Sequence, residues 1–198
     1  MQIKELIAKK YGSVIHSING EIPNVFLQQD LDEISCAINF LIGQNKLYSN
    51  LLEVGSAAGG NARVFCELLN IEDLTIIDDN QHSQHVYREA NLKHLNPKQY
   101  IGNSQSSEAR SWLQEQNKKY DIVYIDGDHS YEGVVRDINN YKDFVKDEGY
   151  MIFHDHIACH GVKMALEKLM NEDKTFLKVF SADNRLGVFI LQKKKFTI

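Results

Sequence analysis

The sequence predicts an α/β fold: a doubly wound sheet with parallel central strands and a last strand that turns back antiparallel. Three observations predict it. Short apolar runs at 51–54 (LLEV), 74–78 (LTIID), 120–126 (YDIVYID) and 149–155 (GYMIFHD), with a weaker one at 100–102 (YIG), alternate with stretches of helical period. The runs are apolar almost throughout instead of alternating, as expected of strands covered on both faces. Two further runs, LKVFS (177–181) and GVFILQ (187–192), lie too close together for a crossover helix, so ADNRL between them reads as the turn of an antiparallel hairpin. The total is seven strands.

The helical pieces follow in order. In DLDEISCAINFLIGQN, Leu31, Ile34, Ile38, Leu41 and Ile42 share one face and Gly43 is a stop. NARVFCELLN places Val64, Phe65, Leu68 and Leu69 together; HSQHVYREANLKHLN (82–96) and SEARSWLQEQNKK read as two more helices, the latter carrying Trp112. Val134, Ile138, Tyr141 and Val145 give the face of the helix after the fourth strand, and GVKMALEKLMNE follows the fifth.

Size and composition limit the function classes. The 198 residues hold two prolines (Pro23 and Pro97), no internal repeat and no linker-like segment, so 1–198 is expected to be one domain: a helical extension over 1–48 and a core over 49–198. A hydrophobic fraction of 43% with 25% charged residues excludes wholesale disorder. A formal net charge of −5 argues against a nucleic-acid partner. Cys36, Cys66 and Cys159 are odd in number and widely spaced, as reduced thiols are. The segment MQIKELIAKKYG has no signal-peptide core, and no apolar run approaches the ~20 residues that span a bilayer. A soluble, cytoplasmic protein without a membrane partner is expected. The terminal KKK (193–195) reads as a guard on a strand end.

In an open α/β sheet, ligands bind at the carboxyl ends of the strands. There the first strand runs into EVGSAAGG (53–60). A Walker loop requires a lysine after its last glycine, and none follows. A dinucleotide fingerprint requires a glycine where Ala57 stands, the position that lets a pyrophosphate approach the backbone. What stands is E-x-G-x-x-x-G. Glu53 would repel a pyrophosphate but suits S-adenosyl-L-methionine, whose sulfonium and ammonium are both positive. Asp78, ending the second strand 23 residues after Gly55, sits where a carboxylate accepts both hydroxyls of an adenosine ribose.

LLEVGSAAGG, IID, GNS (102–104) and YDIVYIDGDHSYEGVVRD followed by GYMIFHD together resemble class I S-adenosylmethionine-dependent methyltransferases. More narrowly they resemble the small-domain group with the I-D-G-D-H-x-Y motif, related to the metal-dependent O-methyltransferases of catechol and macrolide-sugar type. The resemblance covers about residues 50–192 and implies a seven-stranded Rossmann-like sheet with an antiparallel last strand. It also implies that Gly55, Ser56 and Gly59, beside Glu53, lie against the methionine part of the cofactor. Asp78 would hold the ribose, with Asn103 or Ser104 near the adenine and Asp126 on the cofactor side of the acceptor.

Methyl transfer from a sulfonium is a direct displacement. It needs aligned reactants and, for a hydroxyl acceptor, a positioned base or a Lewis acid. Asp126 ends the fourth strand and His154 and Asp155 end the fifth, 28 residues on. The two ends are expected to converge on a divalent cation. Oxygen ligands suit Mg²⁺, and an imidazole shifts preference toward Mn²⁺, Fe²⁺ or Zn²⁺. In the catechol-type relatives an acid stands at the place of Asp126, and an acid with an amide or second acid at the places of His154 and Asp155. His154 departs from that pattern. A neutral imidazole is a suitable base near neutral pH, and the resemblance assigns that role to His129. Asp128 and Ser130 read as turn and cap residues, Tyr131 as pocket floor or core, and His156 and His160 as surface residues. His16, His82, His85 and His94 have no partner visible in sequence.

The expected function is O-methylation of a small-molecule or sugar hydroxyl, with divalent-metal assistance open. The rivals are an NAD(P)-dependent oxidoreductase, disfavoured by Ala57, Glu53 and the hairpin, and a non-catalytic S-adenosylmethionine-binding protein. The acceptor and the oligomeric state, a homodimer included, are not legible.

Overall fold

The computed structural model describes residues 2–11, 27 and 29–195; His16 and Pro23 lie outside them. Helices α1 (Ile3–Lys10) and α2 (Leu31–Gly43) precede the sheet. The core then runs β1 (Asn50–Val54), α3 (Gly60–Leu69), β2 (Asp73–Asp78), α4 (Arg88–Leu92), β3 (Lys98–Ile101), α5 (Ser107–Glu115), β4 (Tyr120–Ile125), α6 (Tyr131–Tyr141), β5 (Val145–His154), α7 (His160–Glu172), β6 (Phe176–Ala182) and β7 (Val188–Lys193). The seven strands lie in the order β3-β2-β1-β4-β5-β7-β6. Strands β1 to β5 are parallel, and β7 pairs antiparallel with both β5 and β6. The expected doubly wound sheet with its antiparallel hairpin is therefore what forms.

Strand alternation divides the core in two. Leu51, Ile76, Ile122, Tyr124, Tyr150 and Ile152 face α2 and α3, while Leu52, Val54, Val123, Ile125, Met151 and Phe153 face α5, α6 and α7. This parity decides the site: residues 126 and 154 continue the series that α2 covers.

Four local expectations are corrected. The segment 82–96 is not one helix but two 3₁₀ turns around the short α4. Arg88 and Asn91 bond Ala57 and Ala58 carbonyls across the core (2.8 and 2.7 Å), and these tertiary bonds override helical propensity. Val145 opens β5 instead of closing α6, because a 3₁₀ turn at Lys142–Phe144 has already ended the helix. Ile42 is 45% exposed, whereas Leu31, Ile34, Ile38 and Leu41 are buried as expected. Lys193 is not a surface guard: it is buried in β7 and its ammonium donates to the Val145 carbonyl at 3.0 Å. No helix among the described residues is long and apolar enough to cross a membrane.

Candidate functional site

The loop after β1 is pinned from three sides. Gly55 has φ +80°, its N–H donates to the Ile77 carbonyl at 2.9 Å, and a Cβ there would overlap the Asp126 backbone, so only glycine fits between the ends of β1 and β4. Ala57 (φ +42°) and Gly59 (φ +74°) complete the turn into α3. Glu53 is buried under the loop and accepts from the Ser56 hydroxyl and from Asn61 Nδ2 at 2.9 Å. Burial pushes its carboxyl up to about 7 despite these two bonds. The Asn61 side-chain oxygen beside it is a buried acceptor without a donor among the described residues.

Asp78 is more heavily engaged than its sequence position suggests. Its Oδ2 accepts from the Ser56 and Ala57 amides (2.8 and 2.9 Å); its Oδ1 accepts from the Asn80 amide at 2.8 Å and pairs with the Arg88 guanidinium. Burial alone would raise this carboxyl, but Arg88 and the amides outweigh it and hold it below the usual range. Arg88, itself buried, also donates to Asn80 Oδ1 at 2.8 Å. Asn103 and Ser104, in the loop after β3, bond elsewhere. Asn103 Oδ1 accepts from the Gln105 amide at 2.8 Å, and the Ser104 hydroxyl donates to Asp137 on α6 at 2.8 Å.

The second half of the site forms where β4 and β5 end side by side. Asp126 Oδ1 stands 3.4 Å from His129 Nε2 and 3.4 Å from His154 Nδ1; the same Nδ1 is 3.3 Å from Asp155 Oδ1, and His129 Nε2 is 3.1 Å from Asp155 Oδ2. All four residues predicted for chemistry thus meet. Donor atoms of Asp126, His154 and Asp155 lie within 4.8 Å of one another.

Two residues that sequence reading missed hold the cluster from the α2 side. Glu33, fully buried, accepts from His154 Nε2 at 3.1 Å and, through its other oxygen, from the Leu186 and Gly187 amides at 2.7 Å each. Gln29 Nε2 donates to Asp126 Oδ2 at 3.0 Å. Burial would lower the imidazole of His154, but the carboxylates of Asp126, Asp155 and Glu33 outweigh it and push the pKa up to about 12. A proton on this ring would supply the charge that compensates the surrounding carboxylates. Burial would raise Asp126, yet His154 and His129 bring it below the usual carboxylate range. The bond to Asp126 raises His129 against the opposing effect of burial.

The turn itself behaves as read. Asp128 Oδ1 accepts from the Ser130 amide at 2.8 Å, and Ser130 Oγ caps α6 by accepting from the Gly133 amide at 3.1 Å. Tyr131 packs partly buried against the core. His156 is a correction: it is buried, not on the surface, and bonds Asp183 at 3.0 Å, while His160 is exposed. His94 finds a partner in Glu67 at 2.9 Å, and the His85 ring lies 2.8 Å from the His82 carbonyl.

The family model for a methyltransferase domain matches residues 52–156. Over 96% of this chain the fold superposes on 91% of a protein provisionally assigned as a caffeoyl-CoA O-methyltransferase from Staphylococcus aureus, with TM-score 0.67 and 18% identity. An O-methyltransferase from Bacillus cereus in complex with SAH aligns over 80% of this chain and 81% of that one (TM-score 0.59, 14% identity). The N-methyltransferase NodS from Bradyrhizobium japonicum, also with S-adenosyl-L-homocysteine, aligns over 81% and 85% (TM-score 0.57, 14% identity). A short stretch of 36 residues is 47% identical to uncharacterized protein R132 of Acanthamoeba polyphaga mimivirus, covering 18% of this chain and 16% of that protein. The chain belongs to the methyltransferase-domain family and has the class I, S-adenosylmethionine-dependent fold.

Proposed function

We propose that this protein transfers a methyl group from S-adenosylmethionine to a hydroxyl of a small molecule or sugar, with His129 as the base and a divalent cation as an aid. Structural neighbours include both O- and N-methyltransferases, so the fold leaves the acceptor atom open. The observation that favours a hydroxyl is the meeting of Asp126, His129, His154 and Asp155 at one strand edge. An amine acceptor needs only to lose a proton it sheds readily, whereas a hydroxyl acceptor needs a base or a Lewis acid.

The donor set of the glycine loop suits the cofactor. It offers Glu53 and an Asn61 oxygen that has no partner among the described residues to a cationic amino-acid portion, and the nearby Arg88 is engaged by Asp78. Because the lone pairs of Asp78 are taken by amides and Arg88, ribose hydroxyls would have to replace the Ser56 and Ala57 amides there. Asn103 and Ser104 are kept as the adenine side, Ser104 being held to α6 by Asp137.

Asp126, His154 and Asp155 fit a divalent ion in ligand type and spacing. Glu33 behind His154 is the outer carboxylate that orients a ligating imidazole. Bound there, Mg²⁺ or Mn²⁺ would lower the pKa of an acceptor hydroxyl. Binding must displace the His154 proton, so the ion substitutes for the imidazolium charge. His129, 39% exposed at the mouth of the cluster, is the one member free to turn toward an acceptor.

Incubation with methyl-labelled S-adenosylmethionine and a panel of catechol, sugar and amine acceptors tests the reading. Labelling of hydroxyl acceptors, lost in His129→Gln, is expected. Transfer to amines alone, or undiminished transfer by His129→Gln, would refute it.

A further inference from the structure

We propose that His129, Asp155 and Cys159 form a second cation site, specific for a thiophilic divalent ion such as zinc, beside the Asp126–His154–Asp155 cluster. A ring nitrogen, a carboxylate oxygen and a thiol sulfur from these three residues lie within 4.8 Å of one another. His129 Nε2 and Asp155 Oδ2 are 3.1 Å apart. Ligands held ~2.0–2.1 Å from a tetrahedral ion are themselves about 3.3 Å apart, so one edge of the coordination polyhedron is already formed. With a zinc–sulfur distance of ~2.3 Å, the sulfur needs to approach by about 1.3 Å at most. Rotation of a half-buried thiol and of the partly exposed His129 ring supplies that movement.

The backbone builds the arrangement. Gly161, in the first turn of α7, lies so close to the backbone of His129, Ser130 and Tyr131 that a Cβ would overlap it. The start of α7 is thereby pressed onto the β4–α6 turn, which brings its N-cap residue, Cys159, to the imidazole. Asp155 serves both sides: Oδ1 faces His154 at 3.3 Å and Oδ2 faces His129 at 3.1 Å. A carboxylate so placed can give one oxygen to each of two donor sets.

The two sets differ in softness. Carboxylates with one imidazole accept magnesium or manganese, whereas a thiolate with imidazole and carboxylate selects zinc over both. Cys36 on α2 and the buried Cys66 on α3 are the other free thiols, and neither joins a cluster of this kind among the described residues. An ion bound here occupies His129 Nε2, the atom through which the ring would take an acceptor proton. That consequence, unlike the site itself, rests on the proposed function.

Cobalt(II) is the probe, because a thiolate ligand gives it an intense near-ultraviolet charge-transfer absorption that oxygen and nitrogen ligands do not. Titration of the 198-residue chain is expected to develop this absorption to saturation and to lose it on addition of zinc. Cys159→Ser should abolish it; serine is a preferred N-cap residue, so α7 is kept. Cys36→Ser should retain it, and His129→Ala should weaken cobalt binding at least tenfold. Absence of the absorption in the parent protein, or its persistence in Cys159→Ser, would overturn the proposal. The measurement involves no methyl donor or acceptor, so its failure leaves the methyl-transfer reading standing, and failure of that reading leaves the site standing.

Discussion

Replacement of Glu33 by glutamine tests the hidden half of the site. The carboxylate is fully buried, accepts two amides at 2.7 Å and receives His154 Nε2 at 3.1 Å. Glutamine keeps the shape and can still accept the two amides, but its NH₂ group then faces an N–H of the imidazolium. A charge-assisted hydrogen bond is worth about 1.5–3 kcal/mol, and breaking a buried ion pair costs about 3–5 kcal/mol. Asp126 and Asp155 still hold the other ring nitrogen, so the loss should be about 3 kcal/mol. For a domain of this length that corresponds to a fall in Tm of roughly 6–12 °C. Urea unfolding at neutral pH measures the free energy, and the double variant with His154→Gln isolates the pair. A Glu33→Gln protein within about 0.5 kcal/mol of the parent, inside the range of surface changes, would show that Glu33 does not balance a charged His154.

Three more outcomes are expected. His129 has a raised pKa, so its basic form accumulates only as pH climbs past the ordinary ~6.5 of a histidine; methyl transfer to a hydroxyl should rise with pH through that shifted value, and a rate that falls across it would refute the base assignment. Its contribution to stability has the opposite sense, present below the unfolded value and lost as pH rises through the folded one. Arg88→Met should cost about 3 kcal/mol by leaving the Asp78 carboxylate without its buried partner, and should weaken S-adenosylmethionine binding in calorimetry; unchanged affinity would separate Asp78 from the cofactor site. Gly55→Ala forces a Cβ into the Asp126 backbone at positive φ, so a loss of at least about 2 kcal/mol in thermal unfolding is expected, with loss of cofactor binding.

What could be read in advance followed from chain-local rules. The ends of β4 and β5 were legible because each is a short apolar run that stops on ionisable residues, and parallel neighbours must bring such ends together. The hairpin was legible because five residues cannot hold a crossover. Glu33 was not: it is 121 residues from His154, and beside Asp30 and Asp32 at a helix start it looks like any solvated acid. Only the strand parity that turns His154 toward α2 reveals its partner. Arg88 was hidden in the same way, since a helical pattern over 82–96 says nothing of the bonds it makes to the β1 loop. Helical periodicity also overran its true ends at Val145, where a 3₁₀ turn intervenes.

The position of β7 between β5 and β6 bears on how the protein is made. During synthesis β5 leaves the ribosome with one flank open, and that flank closes only when residues 188–193 follow. The amides that hold Glu33 belong to the same late hairpin, 153 residues or more after it in the chain. A nascent chain therefore carries the acidic edge and a buried-to-be glutamate uncovered until residues 186–193 have been added, and the site is assembled in one closing event.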